Sequence, residues 1–188
     1  MIFKGSIIVT VFKDEILKWL ARYDKEEDLY NTGLESGLRV KFQRNRFITK
    51  EDLKKIIEWK FQGRLKGRQK RILNLLNPVN DKLVQSVSKL AFKTEDDTIK
   101  LKLFCSIRGV GPALSSVILT FFNPNKYGVF DIHVWRELFG KEPRDLFTNH
   151  NHIFKFFVKI REIAAKTGLT CREIEKALFK KNLEESKH

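Results

Sequence analysis

Apolar residues recur mainly at helical spacing along this chain. Stripes with steps of three and four residues predict helices near 9–22, 49–61, 66–76, 80–93, 98–107, 112–122, 132–140, 151–166 and 171–183. Two segments are ambiguous. Ile2 to Phe12 is rich in β-branched residues, and Ile99-Lys100-Leu101-Lys102-Leu103 alternates like a strand although its neighbours favour a helix. Helix starts are marked by Thr49 with acidic residues following, by Asn80 after Pro78, and by Thr170 with Glu173 in a capping-box arrangement. The pattern predicts an all-α fold in which residues 1–188 form a single unit of two helical lobes. The central lobe spans 49–139, and the flanking segments 1–48 and 140–188 complete the second.

Composition narrows the class. With 42% hydrophobic and 32% charged residues, the 188-residue chain is neither a disordered tail nor a membrane protein. No apolar run approaches the length of a transmembrane helix, and the opening Met1 to Val9 is interrupted too early for a secretory segment. The expectation is an intracellular protein, cytoplasmic or nucleoid-associated. Cys105 and Cys171 sit in helix-like apolar patterns without neighbouring ligands, which suits buried thiols, so no metal and no cofactor is expected. Thirty-seven Lys and Arg against 23 Asp and Glu give a net charge of +14. Such an excess favours a polyanionic partner held through phosphate contacts and counterion release.

The stretch from Leu103 to Leu119 says which polyanion. Two apolar helices meet at Arg108-Gly109-Val110-Gly111-Pro112. Gly109 permits a turn with positive φ, and Pro112 suits the first helical position, where no backbone donor is needed. Leu114, Val117, Ile118 and Phe121 share one face of the second helix. Its N-terminus presents backbone N–H groups without helical partners, which can receive a phosphate. A packing turn could use the same glycines. The whole segment, 98–122, nevertheless resembles the helix–hairpin–helix motif of DNA-repair proteins. That resemblance implies binding by Arg108, Gly109, Val110 and Gly111.

A turn-rich loop, Asn123-Pro124-Asn125-Lys126-Tyr127-Gly128, then leads to Asp131 and His133. Hairpin, loop and aspartate in this order resemble the helix–hairpin–helix Gly/Pro–Asp (HhH-GPD) DNA glycosylase superfamily. The resemblance is clearest over Leu103–Leu138. It implies a two-lobed glycosylase-like fold with a cleft between the lobes, an expected monomer, and double-stranded DNA carrying a damaged base or abasic site as partner. Asp131 matches the superfamily's catalytic aspartate and His133 the histidine that follows it. Breaking an N-glycosidic bond builds positive charge on the sugar, which a fixed carboxylate stabilises. Asp131 also falls in register with Val134, Trp135 and Leu138, which points it inward; the alternative role is a helix cap.

Superfamily members that cut the abasic strand carry a lysine shortly after the second hairpin glycine, where this chain has Ala113. Lys60 is the candidate replacement, because it stands at i+7 from Leu53 and i+4 from Ile56, on the apolar stripe of Leu53, Ile56, Ile57 and Phe61, and so faces inward. Burial beside other cations would free its amine for Schiff-base formation and β-elimination, whereas a snorkelling lysine would serve packing alone. Arg64-Leu65-Lys66-Gly67-Arg68-Gln69-Lys70-Arg71 is the densest basic run, and Arg64, Lys66 and Arg68 are expected on the DNA backbone. Trp59, Trp135, Tyr127 and Phe42 are candidates for base stacking, with core packing the commoner role. Three readings stay open: a glycosylase with or without lyase activity, a non-catalytic hairpin module, and an RNA-binding or scaffold protein.

Overall fold

The computed structural model describes residues 3–27, 29–61 and 66–186, with side chains from Phe12 onward apart from residues 29 and 30. The described residues form ten helices and no strand. They are α1 (Phe3–Glu26), α2 (Leu29–Asn45), α3 (Lys50–Phe61), α4 (Lys66–Leu76), α5 (Asp81–Lys93), α6 (Asp97–Cys105), α7 (Pro112–Phe122), α8 (Ile132–Phe139), α9 (His150–Thr167) and α10 (Cys171–Glu185). None is long and apolar enough to cross a membrane.

Both ambiguous segments are helical. Residues 3–12 lie within α1. Asp96 caps α6 by accepting from the N–H groups of Thr98 and Ile99, and these bonds hold its carboxyl below the usual carboxylate range. The alternation of 99–103 is overridden because Lys100, Leu101 and Phe104 form the buried face, while Ile99 stays exposed. The expected caps at Asn80 and Thr170 are present, the latter as a reciprocal box with Glu173. Thr49 and Asp52 make the same exchange at α3.

The chain divides into two compact units, residues 30–122 and residues 1–29 with 123–188. These bounds differ from 49 and 139. Helix α2 belongs with the central helices, because the Lys41 ammonium bonds the buried Asp52 carboxylate at 2.6 Å and Phe42 meets Phe92. Helix α8 belongs with α10, to which the His133 ring is bonded through Asn182.

Helix α7 is the core of the 30–122 unit. Every residue of it except Ala113 is buried. Phe121 meets Trp59 edge-on at 4.9 Å, and Phe122 stacks on Phe92 at 4.0 Å. Its buried hydroxyls are satisfied internally, Ser115, Ser116 and Thr120 donating to carbonyls of Gly111, Ala113 and Ser116.

The turn before α7 rests on α4. Gly109 has φ +93, and a Cβ built on it would lie 3.1 Å from the Ile72 carbonyl and 3.3 Å from the Leu75 Cβ. Two constraints therefore require glycine there: left-handed backbone and close approach to a helix. At Gly111 an added Cβ meets nothing within 4 Å.

The other unit packs α10 against α1, α8 and α9. Ion pairs join α10 to α1 at Arg22–Glu184 and Lys181–Glu15. The aromatic core centres on Phe130, which meets Phe147, Phe156 and Trp135.

Gly109→Ala is expected to lower folding stability by about 2 kcal/mol or more, from the left-handed backbone and the contact with α4. Gly111→Ala is expected to cost about 1 kcal/mol or less. Thermal or denaturant unfolding of the two variants checks this, and equal losses would contradict it.

Candidate functional site

Ile107 and Val110 are buried on either side of the turn. The Val110 N–H donates to the Ile107 carbonyl at 2.9 Å, and the Ile107 N–H to the Phe104 carbonyl at 3.1 Å. Val110, counted from sequence among the DNA-contacting residues, is thus a packing anchor whose backbone donor is already used. Gly109 likewise turns toward α4. The surface of the hairpin is left to exposed Ser106 and Arg108 and half-exposed Gly109, Gly111 and Ala113.

Beyond the turn the α7 ladder begins at Ser115, whose N–H bonds the Gly111 carbonyl at 2.9 Å. The N–H groups of Gly111, Ala113 and Leu114 therefore precede the first intrahelical bond, and Pro112 contributes none. Lys66, Arg68, Lys70 and Arg71 on α4 are all exposed. Because the α4 backbone around Ile72 to Leu76 carries Gly109, hairpin and basic helix belong to one packed body. The Arg68 guanidinium lies 5.8 Å over the Phe61 ring, which ties it to the end of α3. Arg64, expected on the DNA backbone, lies outside the described residues.

Lys60 is in the last turn of α3 and is half-buried. The stripe of Leu53, Ile56 and Ile57 is enclosed as the spacing implies, and it ends in buried Trp59 and Phe61. The full burial expected of Lys60 is not met, because the helix ends there and the two aromatics take the enclosed positions.

In the other unit, Asp131 is the N-cap of α8, with φ −137 and ψ 152. Its Oδ1 accepts from the His133 N–H at 3.0 Å, and its carbonyl accepts from the Trp135 N–H at 2.9 Å. It therefore does not share the helical stripe of Val134 and Trp135: a capping residue has extended backbone and stands before the first helical position. Asp131 is half-exposed and stands at the N-terminal end of α8.

His133 is held sideways. Its Nδ1 lies 2.9 Å from Asn182 Oδ1, while Asn182 Nδ2 donates to Glu137 at 2.9 Å. Asn182 thus presents an acceptor, the neutral imidazole carries its proton on Nδ1, and Nε2 is the acceptor. Contact between Nε2 and a phosphate would require the doubly protonated ring.

The loop before Asp131 is fixed by residues that sequence reasoning missed. The Arg172 N–H donates to the Pro124 carbonyl at 3.0 Å. Arg161 Nε donates to the Lys126 carbonyl at 2.9 Å, its guanidinium 5.0 Å over the Tyr127 ring. The buried Glu175 carboxylate accepts from the Val129 N–H at 3.2 Å and pairs with buried Arg172. An added Cβ at Gly128 would lie 3.0 Å from Glu175 Cβ and 3.1 Å from the Cys171 carbonyl. The signal available in the sequence was a charged pair three apart, Arg172 and Glu175, within an otherwise apolar helix face.

Trp59, Trp135, Tyr127 and Phe42 are all buried, which gives each a core role. Cys171 is buried and its thiol is pushed up to about 11, so it is protonated at neutral pH; Cys105 is half-buried and also raised by burial. His152 bonds Asp145 at 3.0 Å, while Asn149 caps α9. Among the described residues no group of three His, Cys, Asp or Glu is arranged to hold a metal ion.

Lys60, the hairpin and α4 lie in the 30–122 unit, whereas Asp131 and His133 lie in the other. Comparison with protein-family models, with curated proteins and with solved structures finds no match for this chain.

Proposed function

We propose that this protein is a DNA-repair enzyme of the HhH-GPD kind, which binds damaged duplex DNA and releases a damaged base from a flipped nucleotide. The observation that carries the reading is Gly109, whose left-handed turn is seated on basic helix α4 and leaves the bare Gly111 start of α7 open. Backbone N–H groups at that start would receive one phosphate, and Arg108, Lys66 and Arg68 its neighbours.

The chemistry is assigned to Asp131. As the sugar–base bond lengthens, positive charge grows on the sugar, and the carboxylate stabilises it. Water then adds to the anomeric carbon and loses a proton. Ala113 in place of the hairpin lysine favours this hydrolytic route. Strand cleavage would instead need the Lys60 amine to attack C1′, form an imine and promote β-elimination. Without Asp131 chemistry the same surface would serve a non-catalytic DNA-binding module.

The test is base release from duplexes carrying a panel of lesions, with Asp131→Asn as the decisive variant. Asparagine is as good an N-cap as aspartate, so folding should be retained while base release falls by about 100-fold or more. Undiminished release in Asp131→Asn would sink the catalytic assignment. Borohydride trapping on abasic DNA separates the routes: an adduct lost in Lys60→Ala indicates the lyase, and no adduct indicates hydrolysis. If the wild-type protein binds duplex but acts on no lesion, the module reading replaces the enzyme.

Binding carries its own prediction. Duplex affinity should fall with rising salt, and Arg68→Ala or Arg108→Ala should each reduce the log–log salt slope by about 1. An unchanged slope in both variants would remove α4 and the hairpin from the interface.

A further inference from the structure

Nine residues separate α7 from α8, Asn123 to Asp131, and their backbone is tied to α9 and α10 at successive points. Pro124 and Lys126 offer carbonyls to Arg172 and Arg161, Gly128 is pressed on the start of α10, and the Val129 N–H ends on Glu175. Phe130 is then fully buried, and the next residue is Asp131. The bond from Val129 to Glu175 thus fixes the backbone two residues before the aspartate.

A buried ion pair is a poor stabiliser compared with apolar side chains of similar volume, because two charges must be desolvated. Arg172 and Glu175 are each about 4% exposed, at places where leucine or methionine would fill the same space. What apolar residues could not do is accept the buried Val129 N–H, which would otherwise be orphaned. Arg172 holds the carboxylate in place, and its own main chain fixes Pro124 at the other end of the loop. Gly128 completes the arrangement, since any side chain there would push the loop off Glu175.

We infer that Glu175, oriented by Arg172, is a positioning residue for Asp131: it sets the path of the backbone that delivers the carboxylate to the N-cap of α8. The inference rests on the proposed function, in which Asp131 touches the reacting sugar. It assigns Glu175 no contact with substrate. Its consequence is kinetic, because a carboxylate displaced by a fraction of an ångström loses much of its effect on the transition state while DNA still binds.

The experiment uses the full-length chain with two changes. Arg172→Met/Glu175→Leu replaces the pair by apolar side chains and should remain folded, with its melting temperature lowered by about a few degrees through the loss of the Val129 acceptor. Single-turnover base release should slow by about 10-fold or more, with the duplex Kd unchanged because the hairpin and α4 are untouched. Hydrogen exchange at the Val129 amide should accelerate. Glu175→Gln keeps a carbonyl acceptor and should recover part of both the Val129 protection and the rate. Wild-type turnover in the folded double variant, or an equally protected Val129 amide, would overturn the inference. If the wild-type protein releases no base at all, the proposed function fails and takes the kinetic consequence with it. The Val129 amide then still decides whether Glu175 holds the loop.

Discussion

Helix α7 is buried over every residue but Ala113, and the 30–122 unit is organised by that constraint. An enclosed helix still has polar backbone at both ends and, here, three hydroxyl side chains. The hydroxyls turn back onto carbonyls within or just before their own helix, and Ser115 Oγ also lies 3.5 Å from Cys105 Sγ. The N-terminus has no such remedy, because its first donors have no preceding turn. The chain brings that end to the surface through a tight hairpin, anchored by buried Ile107 and Val110 and seated on α4 at Gly109. Burial of the helix body and openness of its start are two sides of one arrangement. Cations of α4 on the same body then make the open start favourable for an anion.

Most of the helices were legible because their apolar residues repeat at helical spacing and their caps carry the usual polar residues. Thr170 with Glu173 and Asn80 are examples where local chemistry and structure coincide. Helix α2 was not legible. Gly33 and Gly37 weaken its propensity, and its buried face combines Leu38 and Phe42 with a charged Glu35. Its helicity depends on tertiary partners such as Asp52 and Phe92, which no window of sequence contains.

The candidate site was legible in part, and the parts differ physically. Gly109 could be read because positive φ is a property of one residue. Lys60 could not, since periodicity gives a direction from the helix axis but not the depth of burial; Trp59 and Phe61 take the enclosed positions. Asp131 was read on a helical stripe with a cap as its other role; α8 starts at Ile132 as expected, and Asp131 is the cap, where side-chain direction follows extended backbone. Arg172 and Glu175 were hidden for a third reason. Charged residues on a helix usually face water, and only the loop folded over them makes them interior.

The cap geometry of Asp131 bears on which chemistry is feasible under the proposed reading. A carboxylate at an N-cap is held in direction by the His133 N–H at the start of α8. That suits a group whose work is to face a developing positive charge, because it arrives already oriented. Ala113 removes the hairpin amine, and half-buried Lys60 lacks the enclosure that would desolvate an amine fully. Under the proposed reading the missing hairpin lysine therefore favours hydrolytic base release over imine chemistry. The anchored loop belongs to the same logic: a carboxylate that works by electrostatic preorganisation has to be held still, and the ties to Arg161, Arg172 and Glu175 hold the backbone that carries it.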